Sequence, residues 1–493
     1  MIKKIHKTTL ASLLYFATCH AHTHAQSTWP TTFQNINSEV QANSKAYSSL
    51  QEASKTIGHR LTGSENGKKA EAFAFNLFQS YGLTDVRYQP FEVESWSRGT
   101  LKLQVRISGA QYQEIKAVSL AHSPVKATTN GQVVDMGNGL EADYKAKPDA
   151  VKGKIALVYL GILPDSPTGT GNLHRSEKTA LAIKNGAKGI IIINTVAGGT
   201  LLTGTASVTG KLISIPAICV GKEDGLKLKE QLANKGSAVT ANIQMTNKSA
   251  KINARNVIAT LQGSELPNEK IVIGGHLDSW DLATGAIDNG IGSFAVIDMA
   301  RTLQALNLKP KRTIEFVMFM GEEQGLLGSE AYIEQANKDK TLDQVAFMLN
   351  YDMTNDPKGY SASQESMKPL FQSIGAIAAS IDTTFKNSFS ARAGLHSDHQ
   401  PFMLQGIPTG GSSGGKLPNN SGDCYHADCD SFSLVNEQQL KNTVRFSTML
   451  LYGLADADQI PAKKLSDAQT REFLLKNNLK EPLKIAGEWR WAD

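Results

Sequence analysis

The chain runs to 493 residues, 41% of them hydrophobic and 20% charged, with a formal charge of +5 that includes the lysines of its first segment. This is the composition of an ordinary globular protein with a large core and room for two or three domains. It carries no basic stripe interleaved with aromatics, which excludes nucleic acid as a partner.

The first segment reads as an export signal. Lys3, Lys4 and Lys7 precede an apolar stretch from Leu10 to Cys19, and small residues follow at Ala21 and Ala25. The apolar part is too short to span a bilayer, and no later stretch is long and apolar enough. The expectation is therefore a signal peptide over 1–25, cleavage after Ala25 or Ala21, and a periplasmic or secreted chain without stable membrane insertion. Phe16-Ala17-Thr18-Cys19 is a poor lipoprotein box, because Phe stands where an aliphatic residue is usual.

From Phe33 to Ser80 the pattern is helical and amphipathic, broken at Gly58 to Ser64. Val86 to Val93 and Leu101 to Ile107 read as two strands. Between Ser123 and Gln244 the character changes: Gly, Thr and Ser rise and the strands are short. They are Lys154 to Val158, Gly189 to Ile193 and Ile215 to Val220, with a helix from Ser176 to Asn185. Ala197-Gly198-Gly199-Thr200 lacks the Lys-Ser/Thr ending of a phosphate loop and reads as a surface loop. From Ile252 onward, strands at Asn256 to Leu261, Ile271 to Gly274, Thr313 to Met320 and Gln344 to Tyr351 alternate with helices at Gly290 to Asn307 and Ser363 to Thr383. That is an α/β pattern with a mostly parallel central sheet flanked by helices. The charged tail from Lys463 reads as a packed helical extension carrying Trp489 and Trp491.

Chemistry concentrates where these strands end. His276 and Asp278 follow Ile271 to Gly275, Asp288 opens a helix, Glu322 and Glu323 follow Ile314 to Met320, and Asp352 follows Gln344 to Tyr351. The carboxyl ends of strands are where α/β sheets build sites. Cys424-Tyr425-His426-Ala427-Asp428-Cys429-Asp430 supplies a second histidine. Any one of these alone is ordinarily a loop residue in water. Together His276, Asp288, Glu323, Asp352 and His426 form a nitrogen and oxygen set suited to zinc or another borderline divalent ion, with Glu322 left over.

His276-Leu277-Asp278-Ser279, Asp288-Asn289-Gly290, Gly321-Glu322-Glu323, Asn350-Tyr351-Asp352 and Cys424-Tyr425-His426 resemble the five metal-site motifs of the zinc exopeptidase family that holds bacterial leucyl aminopeptidases and carboxypeptidase Q. The segment from Ser123 to Gln244 resembles the protease-associated domain that many of these peptidases carry as an insert. The resemblance implies a zinc exopeptidase fold divided as 26–122 and 246–460 for the catalytic domain, 123–245 for the insert and 461–493 for the extension. It implies two Zn2+ ions roughly 3.5 to 4 Å apart, bridged by Asp288. His276 and Asp352 complete one ion, Glu323 and His426 the other, and Glu322 is the general base.

Other roles follow from position. Asp278 and Asp430 are close enough along the chain to accept the second imidazole N–H of His276 and His426. Tyr425 is placed either to donate its hydroxyl to the developing oxyanion or to pack against the metal shell. Cys424 and Cys429 are expected as a disulfide in an oxidising compartment, and Cys219 as a buried thiol. The substrates implied are peptides, cut as an aminopeptidase. A dipeptidase or a carboxypeptidase Q-like enzyme is the alternative, and a glutaminyl cyclase-like acyltransferase or a receptor-like protein is more remote. Arg392 is the only arginine near the pocket loop Ser397 to Pro408 to meet a terminal carboxylate.

Overall fold

The computed structural model describes residues 29–234 and 238–492, so the expected export signal and Cys19 lie outside the described residues. Among the described residues no helix is long and apolar enough to cross a membrane.

Four parallel strands form the centre of the sheet, in the order Thr409–Ser413, Val345–Asn350, Leu266–His276, Arg312–Phe319. Strands covered on both faces read as continuous apolar runs, and successive side chains divide between the faces. Ile271, Ile273, Phe316 and Met318 join the cluster under helices Trp29–Asn43, Ala46–Thr56, Glu65–Ser80, Ile291–Ala305 and Glu437–Asp456. Val272, Val317 and Phe319 join the opposite cluster, with Tyr332, Ile333 and Phe402 of helices Leu327–Lys338 and His399–Leu404.

The two strands expected at Val86 and Leu101 are one. Asp85–Ile107 pairs antiparallel with Val239–Leu261 from Asp85 opposite Thr260 to Ile107 opposite Val239, with a register break between Arg98 and Leu101. The mostly polar middle, Glu94 to Arg98, lies opposite Asn247 to Lys251. Strand pairing runs through the backbone, so a polar stretch matched by another continues the ladder without an apolar signal. This ribbon carries the sheet out of the parallel core and into the segment from Lys126 to Val220, and the limit near residue 245 falls within it.

In that segment Lys126–Asp135, Ile155–Tyr159, Gly189–Ile193 and Ala217–Val220 are parallel neighbours, with helices Arg175–Lys184 and Lys222–Ala233. The Gly198 and Gly199 amides donate to the Glu223 carboxylate at 2.8 and 3.1 Å, so an internal acid takes the donors a phosphate would need. The tail forms helices Asp467–Lys476 and Lys480–Ala486. Leu474 and Leu483 pack on Met403, with Trp489 and Trp491 against them. Gln400 Nε2 donates to Glu488 at 2.7 Å, which seats the tail beside the site.

Candidate metal centre

Each acid or imidazole expected from the motifs arrives at the carboxyl edge of the parallel strands. His276 is the last residue of its strand, and Asp352 follows Val345–Asn350 by two. Glu322 and Glu323 follow Arg312–Phe319 after Gly321, whose φ of +80° turns the chain so that both face the centre. Asp288 lies in the turn Ala286–Gly290 that leads into helix Ile291–Ala305.

Asp288 divides its carboxylate between the two histidines. Its Oδ1 is 3.3 Å from His276 Nε2 and its Oδ2 is 3.1 Å from His426 Nε2. His276 Nε2 also lies 3.4 Å from Asp352 Oδ1 and 3.9 Å from Glu322 Oε2, and His426 Nε2 lies 3.0 Å from Glu323 Oε2. Ligand atoms of His276, Asp288 and Glu323 lie within 4.8 Å of one another, as do those of His276, Glu322 and Asp352. Four carboxylates and two imidazoles thus converge, and Glu323 Oε1 is buried without a protein partner. Burying charge in this way is costly unless cations share it. A nitrogen and oxygen donor set of this kind fits divalent metal.

Mutual proximity moves the titrations. Burial pushes Glu322 well above the usual carboxylate range, with Asp352, Glu323 and Asp398 adding to it against His276. Burial also favours neutral Asp288 and neutral imidazoles. For Asp288 the two histidines outweigh it and hold the acid low, while the surrounding carboxylates hold His276 and His426 above the usual histidine range.

The profile of the PA domain matches residues 128–228, and that of peptidase family M28 matches residues 256–451. The Aspergillus oryzae protein named "probable leucine aminopeptidase 2" is 30% identical over 363 residues, which are 72% of this chain and 68% of that protein. The chain belongs to peptidase family M28. As an M28 peptidase it is a hydrolase of the metallopeptidase class. Bovine carboxypeptidase Q is 26% identical over 440 residues, 86% of this chain and 88% of that protein. The M28 peptidase precursor of Shewanella amazonensis shares the fold, with a TM-score of 0.74 at 22% identity over 89% of this chain and 99% of that one.

Around the M28 centre, the outer contacts differ in part from expectation. His276 Nδ1 faces Asp278, with its main-chain carbonyl at 3.2 Å and its carboxylate at 3.6 Å. Asp430 does not meet His426. Its carboxylate accepts the Ile287 and Asp288 amides at 2.7 and 3.0 Å, because the chain turns at His426 with φ of 54° and carries the acid back beneath the Asp288 turn. The second nitrogen of His426 faces the Thr203 carbonyl of the PA segment at 3.4 Å. Tyr425 stacks on the His426 ring at 3.8 Å, and its hydroxyl meets Arg175. Burial pushes that hydroxyl well above the usual tyrosine range. Cys424 and Cys429 are bonded, closing the loop that presents Tyr425 and His426, and Cys219 is a buried free thiol.

Residues to which the motifs assigned no role hold the centre together. Asn289 Nδ2 donates to the carbonyls of His276 and Tyr351 at 3.2 and 2.8 Å, and its Oδ1 accepts from the Met353 amide at 2.8 Å, tying the segments of His276, Asp288 and Asp352 together. Arg60, fully buried, donates to the carbonyls of Leu277, Thr284 and Gly285 and so shapes the loop between His276 and Asp288. Ser397 Oγ donates to Asp352 Oδ2 at 2.7 Å. His59 Nδ1 accepts from the Leu61 amide at 3.4 Å.

The cleft over the centre encloses ≈ 730 Å³ and has walls from three parts of the chain. The PA segment brings His174, Arg175, Glu177 and Ser207, and the tail brings Ala486 and Glu488. Arg175 is 4% exposed, and its Nε is buried without a partner. Arg392, the arginine singled out in the sequence, is exposed and lines a neighbouring lobe.

Proposed function

We propose that this M28 peptidase is an exported, binuclear zinc aminopeptidase acting on peptides. The observation that carries the binuclear reading is Asp288, with each carboxylate oxygen facing a different imidazole. His276 and Asp352 would hold one ion and Glu323 and His426 the other, with Asp288 shared. Bound divalent metal supplies Lewis acidity that polarises the scissile carbonyl and eases ionisation of water. Glu322 takes the proton of the attacking water and returns it to the leaving amine, and a carboxylate raised by burial is suited to both transfers. Asp278 steadies the His276 ring, and Tyr425 donates its hydroxyl to the carbonyl oxygen as charge develops there.

The side chains of Asp352 and Glu322, 24% and 10% exposed, give the open side of the cleft negative potential where a substrate α-ammonium would sit. The name of the Aspergillus oryzae relative agrees with release of N-terminal residues. The leader over 1–25 and the Cys424–Cys429 bond favour an exported chain. We divide that chain into a catalytic unit of 26–122 and 246–460, a PA insert of 123–245 and an extension of 461–493.

Hydrolysis of dipeptides is the second reading, and Arg175 favours it. A buried guanidinium with an unpartnered Nε in the cleft suits the carboxylate of a substrate only two residues long. Product analysis on a tripeptide with distinguishable ends, beside the same peptide acetylated or amidated, tests both readings. An aminopeptidase loses the acetylated peptide and keeps the amidated one. Metal analysis finding one ion per chain in fully active protein would end the binuclear reading.

A further inference from the structure

The cleft has a second lobe that the chemistry above does not use. It encloses ≈ 960 Å³ and meets the first at Asp352 and His396, which line both. Its walls are polar: Arg392, His399, Ser361, Thr409 and Ser412 face it, beside the Gly410 and Gly411 backbone, and Leu395 is the one large aliphatic side chain among its lining residues. Strand Thr409–Ser413 builds this wall from small residues because its glycines lie against neighbouring backbone. A Cβ at Gly410 would stand 2.4 Å from the Ser361 carbonyl oxygen, and one at Gly411 would stand 2.7 Å from that of Asn350. No large apolar side chain can be placed there from these two positions.

Arg392 is fixed by its backbone and free at its end. Its amide donates to the Ala362 carbonyl at 3.0 Å, and it is an exposed residue whose guanidinium joins no carboxylate among the described residues. Burial holds His399, another wall residue, below the usual histidine range, and the Arg392 charge adds to this against the Gly394 carbonyl and Asp352. A cation, an imidazole and hydroxyls around a space with little apolar wall give an aliphatic side chain little to pack on, and give a carboxylate a planar two-donor partner.

We infer that this lobe receives the side chain of the substrate's N-terminal residue and that Arg392 selects an acidic one, aspartate or glutamate. The inference rests on the aminopeptidase reading, which puts the N-terminal residue beside Asp352. Arg392 is a specificity-determining residue here and takes no part in the chemical step.

The test is a set of Xaa-Ala-Ala peptides with Glu, Asp, Gln, Leu or Lys at the N-terminus, assayed with the full metal-loaded chain by quantifying the released amino acid. Glu and Asp should exceed Leu in kcat/KM by about 10-fold or more, the size of one charge-assisted contact. Arg392→Gln should erase that margin through KM, leaving Leu nearly unchanged, and Arg392→Glu should turn the preference toward Lys. A preference for Leu overturns the inference, as does an acidic preference that survives Arg392→Gln. Release from any member of the set upholds the aminopeptidase reading separately. No release from every member removes that reading and this inference with it.

Discussion

Thr203 of the PA segment and His426 of the candidate metal centre are joined in both directions. The Thr203 amide donates to the His426 carbonyl at 3.0 Å, and His426 Nδ1 faces the Thr203 carbonyl at 3.4 Å. The outer partner that orients a ligand histidine sets its tautomer and its basicity. In the binuclear reading that partner comes from the PA segment, which would then hold the centre as well as wall the cleft.

Gly204 makes the contact sensitive to a single methyl group. Its φ is +130°, and a Cβ there would stand 2.0 Å from Arg175 Nε. Gly204→Ala should shift the Thr203 carbonyl and weaken metal retention roughly 10-fold or more, measured by competition with a chelator. Gly153→Ala is the control for a positive-φ glycine without a clash: its φ is +68°, and the added Cβ meets nothing within 4 Å. Equal metal retention in the two variants would mean that the insert does not hold His426 in place.

Glu322→Gln separates base from ligand. Glutamine keeps the volume and one oxygen but cannot take a proton, so turnover should fall roughly 10²-fold or more while metal content stays near that of the parent. Turnover near the parent's would remove Glu322 from the proton path. Loss of metal together with turnover would make it a ligand, a result its 3.9 Å approach to His276 Nε2 keeps in play.

The strands and the helix order were legible because each is a local pattern, and His276, Glu323 and Asp352 stand where an apolar run gives way to a polar residue at a strand end. Asp288 and His426 lie in turns, and it was their motifs that pointed to them. Asp430 was misassigned because spacing along a loop does not reveal its turn, and the positive φ at His426 sends the acid under Asp288 instead. Arg175 was passed over for a different reason. Its helix was visible, but its reach into the cleft depends on how the long ribbon returns the insert to the sheet edge, and the polar middle of that ribbon concealed its continuity.

Arg60 should be the most consequential residue for stability among those outside the motifs. It is fully buried and donates to three main-chain carbonyls of one loop, at 2.5 Å to Leu277, 2.7 Å to Thr284 and 2.8 Å to Gly285. Arg60→Met retains much of the volume and strands all three acceptors, so the loss should be about 3 kcal/mol or more in denaturant unfolding. Arg60→Lys should rescue little, because one ammonium cannot replace a fork that spans the loop. A loss below about 1 kcal/mol would show that the loop holds its shape without the arginine.

Glu177 should make stability depend on pH, with a sign opposite to that of a salt-bridged acid. The residue is 1% exposed; one carboxylate oxygen accepts the His174 amide at 2.7 Å, and the other lies 3.5 Å from His396 Nε2. The other charged groups around it are Arg175 and Lys178 on its own helix and Glu488 of the tail. Burial pushes its carboxyl up to about 7, with Glu488 adding to the rise. A folded-state value above the unfolded one means that the native protein holds the proton more tightly. The stabilisation is full below the unfolded value of about 4.5 and is lost as pH rises through about 7. Glu177→Gln keeps the capping contact to the His174 amide and has nothing to ionise. The Tm of the variant relative to the parent should therefore rise by a few degrees between pH 5 and pH 8, corresponding to at most about 3 kcal/mol. A Tm difference that stays flat across that window would show that Glu177 ionises in the native cleft without penalty.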